Sequence, residues 1–448
     1  MSTENEFSGF SWQNSKWMIK GLIIGVIALL LMIPLSYIRE LVQEREKRAK
    51  EVSAEVSGKW AGPQNLIGPI AVIEYNEPDT ARKTTVSRKA YVLPEKLDIQ
   101  AEVSPREKHR SIFRVMLYDA KIRMTGYFRE NLLKDLGISP EKINWERSHM
   151  LLSIADQKGL NKPIQLTLDS TRIEMEQEAS GTGDHFTAPL KSEKNGTGTK
   201  LSFSVDVDLK GSHQLFFTPI GKTTTVSMKS SWQNPSFSGA SLPQNSEIGK
   251  GGFTANWVSF AHTQSFPRQW TGEVFKLQHR FPRDAADYES RSEISSQAFG
   301  VDLYIPVNGY QNTLRSIKYA LLCILLTFAA FFIIELTSKS SVHPFQYGLV
   351  GLALILFYSL LLSISEYTGF NWAYLIASVA TIVLIGWFVK QILRSGRSTT
   401  ILSFVLVVVY SYVFSLLNLE DYSLLFGSVG LFVMLGVLMY FSKKLKWQ

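Results

Sequence analysis

Apolar residues fall in blocks along this 448-residue chain. One apolar span, residues 17–37, precedes a long polar stretch, and five more follow at 316–336, 345–364, 372–389, 401–417 and 423–441. Each is close to the roughly 20 apolar residues that an α-helix needs to cross about 30 Å of hydrocarbon. Soluble cores do not place five such runs in succession. The whole-chain mean hydropathy of +0.03 conceals them by averaging membrane and polar blocks. The pattern predicts a multi-domain membrane protein with six transmembrane α-helices, one N-terminal and five C-terminal, and a large polar domain between them.

Parity and loop charge orient the chain. An odd number of helices separates the polar domain from the C-terminal tail, so the two are expected on opposite sides. Connections on the tail side carry Lys339, Lys390, Arg394, Arg397, Lys443, Lys444 and Lys446, whereas the opposite ones carry Glu366, Glu420 and Asp421 and no Lys or Arg. Short basic loops stay in the cytoplasm. The expected organisation is a cytoplasmic tail at 1–16, a transmembrane helix at 17–37, a periplasmic domain at 38–315 with an N-terminal helical extension, a five-helix bundle at 316–441 and a cytoplasmic tail at 442–448. Arg39, Arg45, Lys47, Arg48 and Lys50 on the outer side pull the other way, but they alternate with Glu40, Glu44, Glu46 and Glu51. Long domains are also translocated largely regardless of charge. The first span begins after basic Lys16 but ends in Pro34, Leu35, Ser36 and Tyr37 without a small-x-small cleavage site, so it reads as a retained anchor. Gly21 and Gly25 stand four apart on it, a spacing that admits a close helix neighbour and that also arises by chance.

The polar domain reads as mostly antiparallel β. Residues 38–57 contain no proline, and Glu44 with Arg48 and Glu46 with Lys50 make i,i+4 pairs, which predicts a helix continuing from the anchor. Beyond it, LSFSVDVDL at 201–209, LDIQAEV at 97–103 and IQLTL at 164–168 alternate apolar and polar residues, the period of half-buried strands. Two further pieces at 215–217 and 223–228, separated by Pro219 to Gly221, suggest an antiparallel meander. A sandwich or large twisted sheet follows, with a short helix near 130–136 and a Gly, Ser and Lys-rich loop over 179–198.

Composition excludes several functions. The net charge of +8 comes largely from the membrane-orienting basic residues, and no large basic block argues for nucleic acid. Cys323, the only cysteine, lies in an apolar span, so the polar domain is expected to fold without disulfides. The histidines at 109, 149, 185, 213, 262, 279 and 343 show no metal-binding spacing, and each reads first as structural. Gly221, Lys222 and Thr223 imitate the end of a phosphate-binding loop, but Phe216 stands where its earlier glycine belongs. No cofactor motif and no catalytic constellation emerges, so an enzyme is not expected. Glu335 is placed at the cytoplasmic end of its span, where it can reach the interface cheaply, and His343 with Pro344 reads as a turn.

Several long segments resemble the CreD inner-membrane proteins of bacteria: LVQEREKRAKEVSAEVSGKWAGPQNLIGP, GSHQLFFTPIGKTTTVSMKSSWQNPSFSGASLP, HPFQYGLVGLALILFYSLLLSISEYTGF and LNLEDYSLLFGSVGLFVMLGVLMY. The likeness covers both membrane ends and the polar domain; Asn308 in PVNGY stands where an acid is expected. It implies a bacterial inner-membrane protein linked to cell-envelope integrity, to a two-component response and to tolerance of envelope stress, including colicins and β-lactams. It supplies no catalytic residue. The expected partners are membrane lipid and an envelope protein or peptidoglycan-related component, with a second copy of the chain left open. A transporter whose outer domain captures a small molecule is the competing reading, and a membrane-anchored periplasmic enzyme a lesser one, since it leaves five helices unexplained. The functional surface is expected where polar and aromatic residues gather in outer loops: Glu366, Tyr367, Glu420, Asp421 and Tyr422, with Trp232, Pro235 and Phe237 of the WQNPSFSG segment.

Overall fold

The computed structural model describes residues 12–79, 84–129, 136–178, 184–190, 200–277, 279, 294–303, 308–338, 341–418 and 425–430, with single positions 432, 436 and 439. Its contacts divide the chain into a helical unit, Met1–Lys50 with Val307–Gln448, and a β unit, Glu51–Pro306.

Among the described residues, the β unit is built from two sheets over one apolar core. The first has nine strands: β1 (Gln64–Asp79), β2 (Thr84–Val92), β5 (Ile143–Ile154), β8 (Glu176–Gln177), β9 (His185–Pro189), β11 (Gln214–Phe217), β13 (Pro235–Gly239), β16 (Gln269–Thr271) and β17 (Phe299–Leu303). The second has eight: β3 (Lys96–Arg110), β4 (Phe113–Phe128), β6 (Gln165–Leu168), β7 (Thr171–Glu174), β10 (Leu201–Ser212), β12 (Thr223–Ser230), β14 (Asn245–Gly249) and β15 (Gly252–Phe260). Alternation along β10 buries Leu201, Phe203, Val205, Val207 and Leu209 on one face. Each such burial removes a side chain from water for about 1.5–3 kcal/mol. The sheets meet through aromatic rings: Trp257 of β15 stacks on Phe299 of β17 at 5.7 Å, and Phe237 of β13 meets Phe253 and Trp257 edge-on at 5.6 Å. The buried Tyr118 hydroxyl of β4 donates to the Gln214 carbonyl of β11 at 2.7 Å.

Two expectations change. The pieces at 215–217 and 223–228 do not form a meander. β11 pairs with β1 in parallel and with β17, while β12 pairs with β3 in parallel and with β15. Leu215, Phe216 and Phe217 are all buried, and the chain crosses between sheets through Pro219 to Gly221. The expected loop over 179–198 contains β9, which pairs with β5 and buries Phe186, Ala188 and Leu190. Three alternating apolar residues flanked by glycines and lysines carry too short a period to read. The helix expected near 130–136 lies outside the described residues apart from Leu136.

In the helical unit α1 (Trp12–Leu30) passes through a turn at Leu31 into α2 (Met32–Trp60). Pro34 has no N–H for the Leu30 carbonyl, which accounts for the break inside the first apolar span. The helix then runs without proline or an internal turn into the β unit, as the 38–57 composition predicts. The span expected to begin at 316 is preceded by α3 (Asn308–Lys318), and α4 (Ala320–Ser338) follows. At their junction the Tyr319 N–H bonds the Ser316 carbonyl three residues back, tightening the turn. Then come α5 (Pro344–Thr368), α6 (Phe370–Leu393) and α7 (Gly396–Asn418). His343 caps α5, its Nδ1 accepting from the Phe345 N–H while Gln346 Oε1 accepts from the His343 N–H. Five helices among the described residues are long and apolar enough to cross a membrane. Leu22, Leu356, Val383, Trp387 and Phe404 stand exposed on them, as lipid-facing residues would. Of the sixth expected span, 423–441, residues 425–430 are helical and most of the remainder lies outside the described residues.

Candidate functional site

Glu335 lies in the last turn of α4, as expected, and its side chain is turned inward. It is fully buried, accepting hydrogen bonds from the Tyr347 hydroxyl at 2.8 Å, the Val342 N–H at 2.8 Å and the Lys20 ammonium. Lys20 also donates to the Val342 carbonyl at 2.6 Å. The carboxylate therefore ties α1 to α4 and to the start of α5. A buried charge is tolerated when it is paired and its lone pairs are filled, and both conditions hold.

The expected surface residues separate between units. In the helical unit, Glu366 Oε1 accepts from the buried Tyr310 hydroxyl at 3.1 Å, and Tyr367 is exposed. Burial, with the Glu366 carboxylate adding, pushes the Tyr310 hydroxyl's pKa up. In the β unit, Trp232 Nε1 donates to the Asn234 carbonyl at 2.9 Å, Pro235 and Phe237 pair with Leu303 and Val301 through β13, and the Phe237 ring packs inward. Glu420, Asp421 and Tyr422 lie outside the described residues.

A larger site, not anticipated from sequence, lies in the β unit. β5 and β9 pair antiparallel with Ser153 opposite His185 and His149 opposite Pro189. The Ser153 hydroxyl lies 2.8 Å from His279 Nε2 and 3.0 Å from His185 Nδ1. A hydroxyl has one proton, so it donates to one imidazole and accepts from the other. The two imidazoles, held from behind by the buried Ser153 hydroxyl, line a cleft of about 930 Å³ together with Lys89, Tyr91, His149, Asp156, Glu178, Asp184, Glu273 and Lys276. The Tyr91 ring is stacked on Trp270 at 5.2 Å, and Phe275 abuts Trp270 edge-on, which gives one wall an aromatic base.

Electrostatics set what the cleft can do. Burial, reinforced by His185, holds the His279 imidazole neutral, with its pKa down at about 4. Burial also pushes the Asp184 carboxyl's pKa up, against the pull of His185. Among the described residues, His149 Nε2 and His279 Nδ1 are buried without a hydrogen-bond partner, an uncommon state for buried polar atoms. Asp156 is committed to the fold, accepting from the Gly62 and Lys158 N–H groups at 2.8 and 3.0 Å. Among the described residues no group of His, Cys, Asp and Glu is arranged to hold a metal ion. The arrangement suits a ligand bearing hydrogen-bonding groups of both polarities. Ser153 itself is fully buried, which withdraws it from any role as an open nucleophile.

The family model described as inner membrane protein CreD matches residues 16–448. The chain belongs to the CreD family. The inner membrane protein CreD of Escherichia coli (strain K12) is 28% identical over 429 residues, which cover 94% of this chain and 91% of that protein. The likeness to CreD therefore spans the helical unit and the β unit together. It agrees with the several apolar helices, which make this CreD-family chain a multi-pass inner-membrane protein.

No signal in the sequence joins the groups of the cleft. They come from residues 89–91, 149–156, 178–185 and 273–279, and only the pairing of β5 with β9 brings the central ones together.

Proposed function

We propose that this CreD-family protein holds its β unit on the periplasmic side of the inner membrane, where the Ser153, His185 and His279 cleft binds an envelope component. Through that binding it supports cell-envelope integrity and tolerance of envelope stress, including colicins and β-lactams. The observation that carries the reading is the 930 Å³ cleft, in which ammonium, carboxyl and imidazole groups converge over an aromatic base. Loop charge supports the orientation, with Lys390, Arg394 and Arg397 in one short connection and Glu366 in the opposite one. The test replaces Lys89, His185 and Lys276 together by alanine and measures β-lactam and colicin tolerance in cells at matched membrane abundance. Lost tolerance is expected, and tolerance equal to the parent overturns the proposal.

The convergence of titratable groups in one cleft also favours a second reading, a membrane-anchored enzyme that works by proton transfer on its bound ligand. His185 and Asp184 would then exchange protons with that ligand. Recovery of a chemically altered ligand from the parent, and of the unaltered one from His185→Ala, distinguishes catalysis from binding.

A further inference from the structure

A second concave site lies in the β unit at the end of α2. The last turn of α2 and the tip of the β3–β4 hairpin enclose a cleft of about 620 Å³ lined by Lys59, Trp60, Lys108, His109, Arg110 and Ser111, among others. The Lys108 ammonium lies over the Trp60 ring, 4.7 Å from its centroid, and the Lys210 ammonium of β10 lies over the same ring at 4.7 Å. Lys59 and Arg110 share one carboxylate, Glu55, at 2.7 and 3.0 Å.

Nearby carboxylates are engaged elsewhere: Glu107 with Arg114, Asp119 with Arg106 and Asp208 with Lys162. Four cations thus converge where a single carboxylate answers them, and two of them have only a ring face as partner among the described residues. A ring face holds an ammonium only weakly, whereas an ionised oxygen makes a shorter and stronger contact. Lys108 and Lys210 would therefore exchange the ring for an anion that entered the cleft.

We infer that this cleft binds a phosphate-bearing ligand. A phosphate presents three terminal acceptor oxygens and up to two negative charges, which matches separate ammonium groups and a forked guanidinium better than a carboxylate does. The inference stands apart from the Ser153 cleft, which is lined by other residues and can fail without it.

The test uses the full chain in phosphatidylcholine nanodiscs, titrated calorimetrically with inorganic pyrophosphate, with glucose 1-phosphate and with succinate. Saturable binding of a phosphate compound is expected, weakening at least tenfold in Lys108→Gln/Lys210→Gln and also in Lys59→Gln/Arg110→Gln. Lys229→Gln, on a different part of the sheet, is expected to bind as the parent does. A stronger signal from glucose 1-phosphate than from pyrophosphate marks a sugar-borne phosphate, and the reverse marks a free one. The inference is overturned if neither phosphate compound saturates, if succinate binds as well as they do, or if both double variants bind as the parent does.

Discussion

The Lys20 ammonium of α1 is paired with the Glu335 carboxylate of α4 inside the helical unit, where Glu335 has no solvent exposure. Removing one partner leaves a buried charge without an answer, which costs about 3–5 kcal/mol. Lys20→Met and Glu335→Leu are each expected to lower the stability of the detergent-solubilised protein by about that amount. The double variant should lose less than the sum by more than about 1 kcal/mol, because the pair is directly coupled. Additive losses in thermal unfolding would show that the two charges do not answer each other.

Close packing gives a second prediction. A Cβ placed on Gly351 of α5 would lie 2.1 Å from Leu31 Cδ1 and 3.0 Å from Phe328 Cζ. Gly351→Val should therefore destabilise the helical unit by about 1–3 kcal/mol through overpacking. Leu31→Ala in the same chain is expected to recover most of that loss, since it removes the nearest obstacle. Melting temperatures of the parent, the single variant and the double variant provide the comparison.

Protonation of His279 gives a third. Its pKa falls from 6.5 to about 4 on folding, so between those values the unfolded chain binds the proton and the folded one does not. The stabilisation is present above about pH 6.5 and is lost as pH falls toward 4, on the order of 3 kcal/mol in full. Asp184, whose pKa is raised, acts in the opposite direction at low pH. His279→Asn should flatten the parent's loss of thermal stability between pH 6.5 and pH 4, and an unchanged profile would remove His279 as its source.

The parts that the sequence disclosed were those with a local period. Five apolar spans, the helix beyond the anchor and the strands at 97–103 and 201–209 all follow from spacing along the chain. What it concealed depends on distance. β11 and β12 are neighbours in sequence, yet each takes a parallel partner from far upstream, which no local alternation encodes. Glu335 is at a helix end, as its position in the span implies, but its burial and its pairing were hidden because the answering group stands 315 residues away. The three imidazoles of the cleft carry no common spacing: the pairing of β5 with β9 brings His149 and His185 together, and His279 joins them from outside any strand through the Ser153 hydroxyl. Of the surface expected in the outer loops, Glu366 meets Tyr310, and Phe237 packs into the sheet core.

The central claim is that the Ser153, His185 and His279 cleft faces the periplasm, and cysteine labelling tests it directly. Cys323 is buried, so an introduced thiol can report alone. Lys276→Cys at the cleft and Gly396→Cys at the start of α7 are both exposed positions. In intact cells with a permeabilised outer membrane, a membrane-impermeant maleimide should label position 276 and reach position 396 only after lysis. Labelling of 396 in intact cells, with 276 protected until lysis, would place the cleft in the cytoplasm and contradict the account.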